Sequence, residues 1–391
     1  MNYDKLVNRT LADMKPSGIR KFFDIAAEME DVISLSVGEP DFSTPWHIRQ
    51  EGIKTLEKGR TWYSPNAGLV ALRQAIGGYL NRRFGLEYDP KSEILVTVGG
   101  SEAIDLCFRA LVAPGDEVLI PEPSFVCYDP LTRMAGGVPV PLVTRAEDNF
   151  RLRAETVAAA ITDKTKLLVL PYPNNPTGAI MPREELEALA EVLRGTDIMV
   201  LSDEIYSELT YGREHVSFAA IEGMWERTIL VSGFSKAYAM TGWRLGYACG
   251  PQPVMGLLTK LHQYGIMCAP TTAQYAAIEA MNNGDSDVVQ MREEYDMRRR
   301  YIVDELNRLG LTCFEPEGAF YVFPSIQSTG LTSEEFCRRL LEEKHVAVVP
   351  GNAFGDSGEG FIRISYCYSL KHITEALRRI HAFLEELGLC P

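Results

Sequence analysis

The chain has 391 residues, 46% hydrophobic and 24% charged, with a formal net charge of -14 and an isoelectric point near 5.1. That length exceeds one typical core, and the composition is ordinary for a soluble globular protein, so two packed bodies or one enlarged α/β body is expected. The charge disfavours nucleic acid as a partner, and no apolar run of about 18 residues offers a membrane span.

In chain order, the first five residues carry no charged-then-apolar signal pattern, and the stretch up to Pro40 cannot build a core alone. It is expected to pack on a C-terminal body or on a partner chain. From about residue 65 to 250, short apolar strands alternate with helical patterns. Helices are predicted over 69–83, 101–112, 124–135, 154–160 and 183–193. Strands are predicted over 93–98, 117–121, 138–142, 166–170, 198–202, 228–232 and 245–249. Fully apolar strands between amphipathic helices imply a mainly parallel seven-stranded sheet covered on both faces.

Past about residue 285 the pattern changes to a long charged helix over 288–309 and hairpin-like segments at 311–314 and 319–323. A helix over 333–343, strands at 347–349 and 361–365, and a last helix over 370–387 follow. The expected architecture is α/β, with a large domain over 41–285 and a smaller α+β domain from 1–40 and 286–391. The eight cysteines are scattered, with no Cys-x-x-Cys pair and no Cys/His cluster at zinc spacing. No metal is expected, and free thiols fit a reducing cytoplasm.

In an open α/β sheet, ligands bind beyond the carboxyl ends of the strands, and the chemically unusual residues gather there. Lys236 follows the buried strand 228–232 and is badly placed for a solvated charge. It suits a Schiff base with an aldehyde whose phosphate Arg244 would hold. Gly99, Gly100 and Ser101 end one strand and open a helix, where free amides favour a phosphate. Asp203 ends the strand 198–202; a carboxylate there needs a partner, and a protonated pyridine nitrogen is one. Tyr206 lies three residues on. Asn175 precedes a proline that aims its amide, and Phe125 could stack on a planar ring. Arg363 interrupts an apolar strand and needs an anion, either a substrate carboxylate or an internal acid.

Together these residues resemble the fold-type I, class I aminotransferases that use pyridoxal 5′-phosphate (PLP), from Val37-Gly-Glu-Pro-Asp-Phe42 to Arg363 and its strand. The resemblance implies that Lys236 holds the coenzyme, Asp203 pairs with its ring nitrogen, and Asn175 and Tyr206 hold its phenolic oxygen. Phe125 would stack on the ring, and Gly100, Ser101 and Arg244 would bind the phosphate. Tyr63 would reach the phosphate of a neighbouring subunit, implying a homodimer with shared sites. Arg363, the Gly38 backbone and Asn175 would take the substrate carboxylate. One departure stands out: many relatives carry a hydroxyl residue three positions before the lysine, where this chain has Gly233, so Ser235 is expected to supply that contact.

The implied reaction is ping-pong transamination between an L-amino acid and a 2-oxo acid. Position 101 is Ser, where some aspartate-preferring relatives carry Lys, which counts against a strict aspartate enzyme. Several phrases resemble aromatic or broad-specificity aminotransferases and, equally, acetyl-diaminopimelate aminotransferases. Ile19, Phe22, Tyr63, Tyr128 and Tyr321 could line an aromatic pocket. A PLP-dependent β-lyase is the rival on the same scaffold.

Overall fold

The computed structural model describes residues 1, 3–14 and 29–389. β1 (Ile33–Ser34) stands apart from a central sheet. That sheet holds β2 (Ile94–Thr97), β3 (Glu117–Glu122), β4 (Val138–Val143), β5 (Thr165–Leu170), β6 (Met199–Asp203), β7 (Thr228–Gly233) and β8 (Gly246–Cys249). Their order is β2-β8-β7-β6-β5-β3-β4. Every neighbouring pair is parallel except those made by β8, which runs antiparallel to β2 and β7.

The apolar strands are explained by burial on both faces. Leu201, Ile229 and Val231 pack on one side with Ile104, Phe108 and Leu258, from the helices Gly100–Leu111 and Gln252–Gly265. Val200 and Leu230 point to the other side, against residues such as Leu189 and Ala277 of the helices Arg183–Leu193 and Thr271–Asn283. Each such side chain removed from water is worth roughly 1.5–3 kcal/mol. No terminal strand carries more of this burden than the central β6 and β7, whose segments Val200–Asp203 and Thr228–Gly233 are buried throughout.

The C-terminal portion starts with the helix Asp285–Arg308. β9 (Tyr321–Val322), β11 (Val349–Pro350) and β12 (Ile362–Ser365) form an antiparallel sheet in the order β11-β12-β9. β10 (Val346–Ala347) instead pairs in parallel with β1. Leu35 shares a core with Ile302, Phe336, Ile364, Ile373 and Phe383, so the segment around β1 packs on the C-terminal body, whereas the short helix Arg9–Asp13 lies against the helix Tyr128–Met134.

Three sequence readings need correction. The helix expected over 124–135 begins only at Tyr128, because the Ser124 amide bonds the Phe354 carbonyl (3.1 Å) and the chain turns there instead. The segment 311–314 is not a strand. Asn307, in the last turns of the long helix, bonds both the amide and the carbonyl of Cys313 (3.0 and 2.9 Å), supplying what a strand partner would have supplied. The strand expected at 347–349 is two, with Val348 at the switch between sheets. The helices Trp46–Glu57, Gln252–Gly265 and Thr271–Asn283 were not anticipated; the last buries Ala273, Ala276, Ala277 and Ala280, small residues that give little periodic signal.

Candidate active site

A cavity of about 320 Å³ opens beyond the carboxyl ends of the sheet strands. Of the residues singled out from the sequence, Gly38, Gly100, Ser101, Phe125, Asn175, Asp203, Tyr206, Ser235, Lys236, Arg244 and Arg363 line it. Tyr128 and Tyr321 line it too, whereas Tyr63 is 78% exposed and off its wall. Ile19 and Phe22 lie outside the described residues.

The topology explains the convergence. β2, β3, β5, β6 and β7 are all parallel to one another, so the segments after them bring Gly100, Phe125, Asn175, Asp203 and Lys236 to one end. β8 runs the other way, so Arg244, two residues before it, reaches the same end. The strand pairing there is tight: a Cβ on Gly246 would stand 2.5 Å from the Gly100 amide nitrogen. Gly99, at φ +79°, caps the helix Gly100–Leu111, and a Cβ on it would stand 2.7 Å from an Arg244 guanidinium nitrogen. The free amides of this helix N-terminus and the guanidinium therefore face one point, an arrangement suited to a phosphate.

Gly233, the departure noted in the sequence, has little room for a side chain. A Cβ there would lie 3.0 Å from the Gly246 Cα and 3.1 Å from the Leu245 carbonyl oxygen. Ser235 is the hydroxyl that lines the cavity nearby.

Asp203 is buried, and its Oδ2 accepts from the Tyr128 hydroxyl at 2.7 Å while Oδ1 accepts from the Ile205 amide at 3.3 Å. Burial is the largest influence on its carboxyl and pushes it up to about 6, against the two hydrogen bonds that favour the anion. An ion pair with Arg244 does not explain it, since the Arg244 guanidinium donates to the Thr241 carbonyl at 3.0 Å. The Tyr128 contact was missed in the sequence, where the residue was read only as pocket wall. Its placement at the start of the helix after β3, the strand two places from β6, was the available signal.

The Lys236 amine donates to the Gly38 carbonyl at 2.7 Å. Burial, with Arg363 and Arg244 adding to it, lowers the amine to about 8. At neutral pH a far larger fraction is uncharged than for an ordinary lysine, as a base or nucleophile requires.

Arg363 is buried, and one guanidinium nitrogen donates to Asn175 Oδ1 (2.9 Å), another to the Ser36 carbonyl (2.5 Å). Its Nε has no partner, and none of the described acids pairs with it. A buried guanidinium without a counterion is costly, so the internal-acid explanation fails and an anion from outside fits. Arg363 spends Asn175 Oδ1, leaving the amide nitrogen of Asn175 available to the cavity. Among the described residues no His/Cys/Asp/Glu cluster suits a metal, and no helix is long and apolar enough to cross a membrane.

The family profile described as aminotransferase class I and II matches residues 30–380. The chain belongs to the class I and II aminotransferase family. A Bacillus subtilis (strain 168) protein bearing the name aminotransferase YugH is 53% identical over 373 residues, covering 95% of this aminotransferase and 97% of the relative. A protein of the same organism named as an N-acetyl-LL-diaminopimelate aminotransferase is 44% identical, covering 97% and 96%. The solved aromatic aminotransferase of Pyrococcus horikoshii OT3 superposes with a TM-score of 0.90 at 44% identity, covering 95% and 100%. A Pyrococcus abyssi aspartate aminotransferase matches at 46% identity over 96% of the chain and 97% of the relative. The fold is that of the fold-type I PLP enzymes, and transamination of small amino and 2-oxo acids is the activity of this family.

Proposed function

We propose that this aminotransferase binds PLP and exchanges the amino group between an L-amino acid and a 2-oxo acid by a ping-pong mechanism, with aromatic or broad substrate preference. One observation carries the proposal: a depressed lysine amine, a buried carboxylate and a guanidinium with a bare Nε share one cavity. The residues fit the coenzyme, because the glycine-lined helix N-terminus and Arg244 suit a phosphate while Asp203 suits a protonated ring nitrogen. Bound there, PLP supplies an aldehyde carbon for the amino nitrogen and a ring that accepts electrons from the substrate's α-carbon.

The chain's own groups do the rest. Arg363, with Asn175 and the Gly38 backbone, orients the substrate through its α-carboxylate. The Lys236 amine takes the α-proton and later returns it, as base and then acid. Asp203, held by Tyr128, keeps a proton on the ring nitrogen; that positive charge in turn draws its own carboxyl down toward the ionised form. Tyr206 and the Asn175 amide donate to the phenolic oxygen, Phe125 stacks on the ring face, and Ser235 adds a contact near the phosphate. The two-body reading, with 41–285 as the PLP-binding domain and 1–40 with 286–391 as the smaller one, belongs to the same proposal.

A homodimer with shared sites is supported by exposed aromatic residues on two segments joined by a hydrogen bond. Trp62 is 61%, Tyr63 78% and Tyr264 85% exposed, and the Asn66 amide ties the two loops by bonding the Met267 carbonyl at 2.8 Å. Tyr63 is then the residue a partner's site would receive. Free thiols at the seven described cysteines support a cytoplasmic setting.

For substrate preference, the lining cations among the described residues are Lys236, Arg244 and Arg363, each already assigned, so a distal carboxylate finds no further cation among them. Phe125, Tyr128, Ile205 and Tyr321 give the wall an apolar and aromatic character instead. The acetyl-diaminopimelate reading is kept by the 44% identical relative, and a β-lyase is the remaining alternative. The experiment mixes the PLP-loaded protein with single amino acids, without an oxo acid, and follows bleaching of the visible absorbance. Fastest bleaching is expected with aromatic amino acids. Faster bleaching with acetyl-diaminopimelate would move the assignment to that substrate, and steady ammonia release without an acceptor would mark a lyase.

Arg363→Lys is expected to raise KM for the amino acid about 10- to 100-fold, the scale of one lost charge-assisted hydrogen bond. Steady-state kinetics checks this; an unchanged KM would remove Arg363 from carboxylate binding.

A further inference from the structure

The hydroxyls of Tyr206 and Tyr321 lie 2.9 Å apart, and either could donate on distance alone. The role proposed for Tyr206 decides the direction. Tyr321 is 1% exposed, and its oxygen fills the side-chain space of Gly38, where a Cβ would stand only 1.9 Å away. Tyr206 is the only hydrogen-bond partner of that hydroxyl among the described residues. Both tyrosines line the cavity, but with the coenzyme bound the single hydrogen of the Tyr206 hydroxyl is given to the phenolic oxygen, so the bond between the two hydroxyls requires Tyr321 to donate. If Tyr321 donates, its hydrogen is satisfied, and the Tyr206 hydrogen is left facing the cavity that Tyr206 lines.

The Tyr321 ring has a second attachment, with the Arg363 guanidinium carbon 4.6 Å from its centroid. One side chain thus touches the group that would hold the substrate carboxylate and the group that would hold the coenzyme's phenolic oxygen.

We propose that Tyr321 is a positioning residue: its hydroxyl donates to Tyr206 and so aims and strengthens the Tyr206 hydroxyl as a donor toward the coenzyme, while its ring seats Arg363. The proposal rests on the PLP reading. Donation from Tyr321 draws charge from the Tyr206 oxygen, and Tyr206 then stabilises negative charge on the phenolic oxygen more strongly. Less negative charge remains there to hold a proton on the nitrogen of Lys236 that is joined to the coenzyme, so that nitrogen loses its proton at lower pH.

The test is the pH titration of the visible band of the PLP-loaded protein without substrate. Tyr321→Phe keeps the ring under Arg363 and removes the donor. Its midpoint is expected to move up by about 0.5–1 pH unit, the scale of one hydrogen bond. The same change made in a Tyr206→Phe background is expected to move the midpoint by less than about 0.2 unit. The other titratable and charged groups facing the pair are Lys236, Arg363, Cys367 and Tyr368, with Asp203, Glu39 and Arg244 facing Lys236. None of them is altered by either variant.

The affinity for 3-phenylpropionate, a monocarboxylate without an amino group, is read by the spectral change it causes. It is expected to hold within about twofold in Tyr321→Phe and to weaken several-fold in Tyr321→Leu, which loses the ring beneath the guanidinium. An unmoved midpoint in Tyr321→Phe, or an equal shift in the Tyr206→Phe background, overturns the proposal. Failure of the underlying PLP reading looks different: the unaltered protein would develop no visible band with added PLP.

Discussion

Replacing Lys236 with alanine is expected to abolish the visible absorbance of the PLP-loaded protein and to lower kcat by on the order of 10⁴-fold or more, the upper range for a positioned proton-transfer group. The reason lies in the amine's setting. Burial brings it to about 8, and the one acceptor its hydrogen bond finds is the Gly38 carbonyl, on the strap that also carries Ser36 to Arg363. Among the described residues no other lysine lines the cavity to replace it. Stability should change little, because the side chain forms no ion pair among the described residues and alanine leaves the turn after β7 intact. The measurements are the absorbance spectrum with added PLP and single-turnover kinetics. An alanine variant that kept its colour and a tenth of its turnover would remove Lys236 from the mechanism.

Asp203→Asn is expected to lower kcat by about 10²- to 10³-fold, the scale of losing one preorganised electrostatic contact, with KM changing much less. Asparagine preserves the acceptor for the Tyr128 hydroxyl but cannot hold a positive charge on the ring nitrogen. The pH dependence of coenzyme binding follows from the same residue. Without the coenzyme, burial holds the carboxyl up near 6; a protonated ring nitrogen beside it favours the anion. Binding therefore expels a proton from Asp203 below about pH 6 and weakens as the pH falls through that value. Apparent Kd for PLP, measured from pH 5 to 8 by quenching of intrinsic fluorescence, should rise toward pH 5 in the parent. The rise should be flatter in the asparagine variant, which has no carboxyl to titrate. An equal slope in both would place the titrating group elsewhere.

The central sheet was legible because its strands are short, apolar and buried on both faces, with polar-faced helices between them. β5, β6 and β7 fall within a residue of their expected bounds at most ends. The C-terminal body was harder to read. Two-residue strands such as Val346–Ala347 and Val349–Pro350 carry no periodic signal, and Asn307 does for Cys313 what a neighbouring strand does elsewhere. At the site, residue types with few bland uses gave themselves away: a lysine after a buried strand, a carboxylate ending one, an arginine inside one. Residues whose role is to hold others did not. Tyr128 on Asp203, the Ser36 carbonyl on Arg363 and Tyr321 on Tyr206 join residues 75 or more positions apart, and apart from the place of Tyr128 after β3 nothing in the chain marks these pairings. Gly233 lay between these cases. The sequence marked it as a departure, and only the packing against Gly246 and Leu245 supplied the reason.

The most direct measurement is borohydride reduction of the PLP-loaded protein followed by peptide mapping. The account predicts a single phosphopyridoxyl-modified peptide, carrying its label on Lys236, with labelling suppressed when that lysine is replaced. A label on another lysine, or none on a protein shown to be folded and exposed to excess PLP, would contradict it.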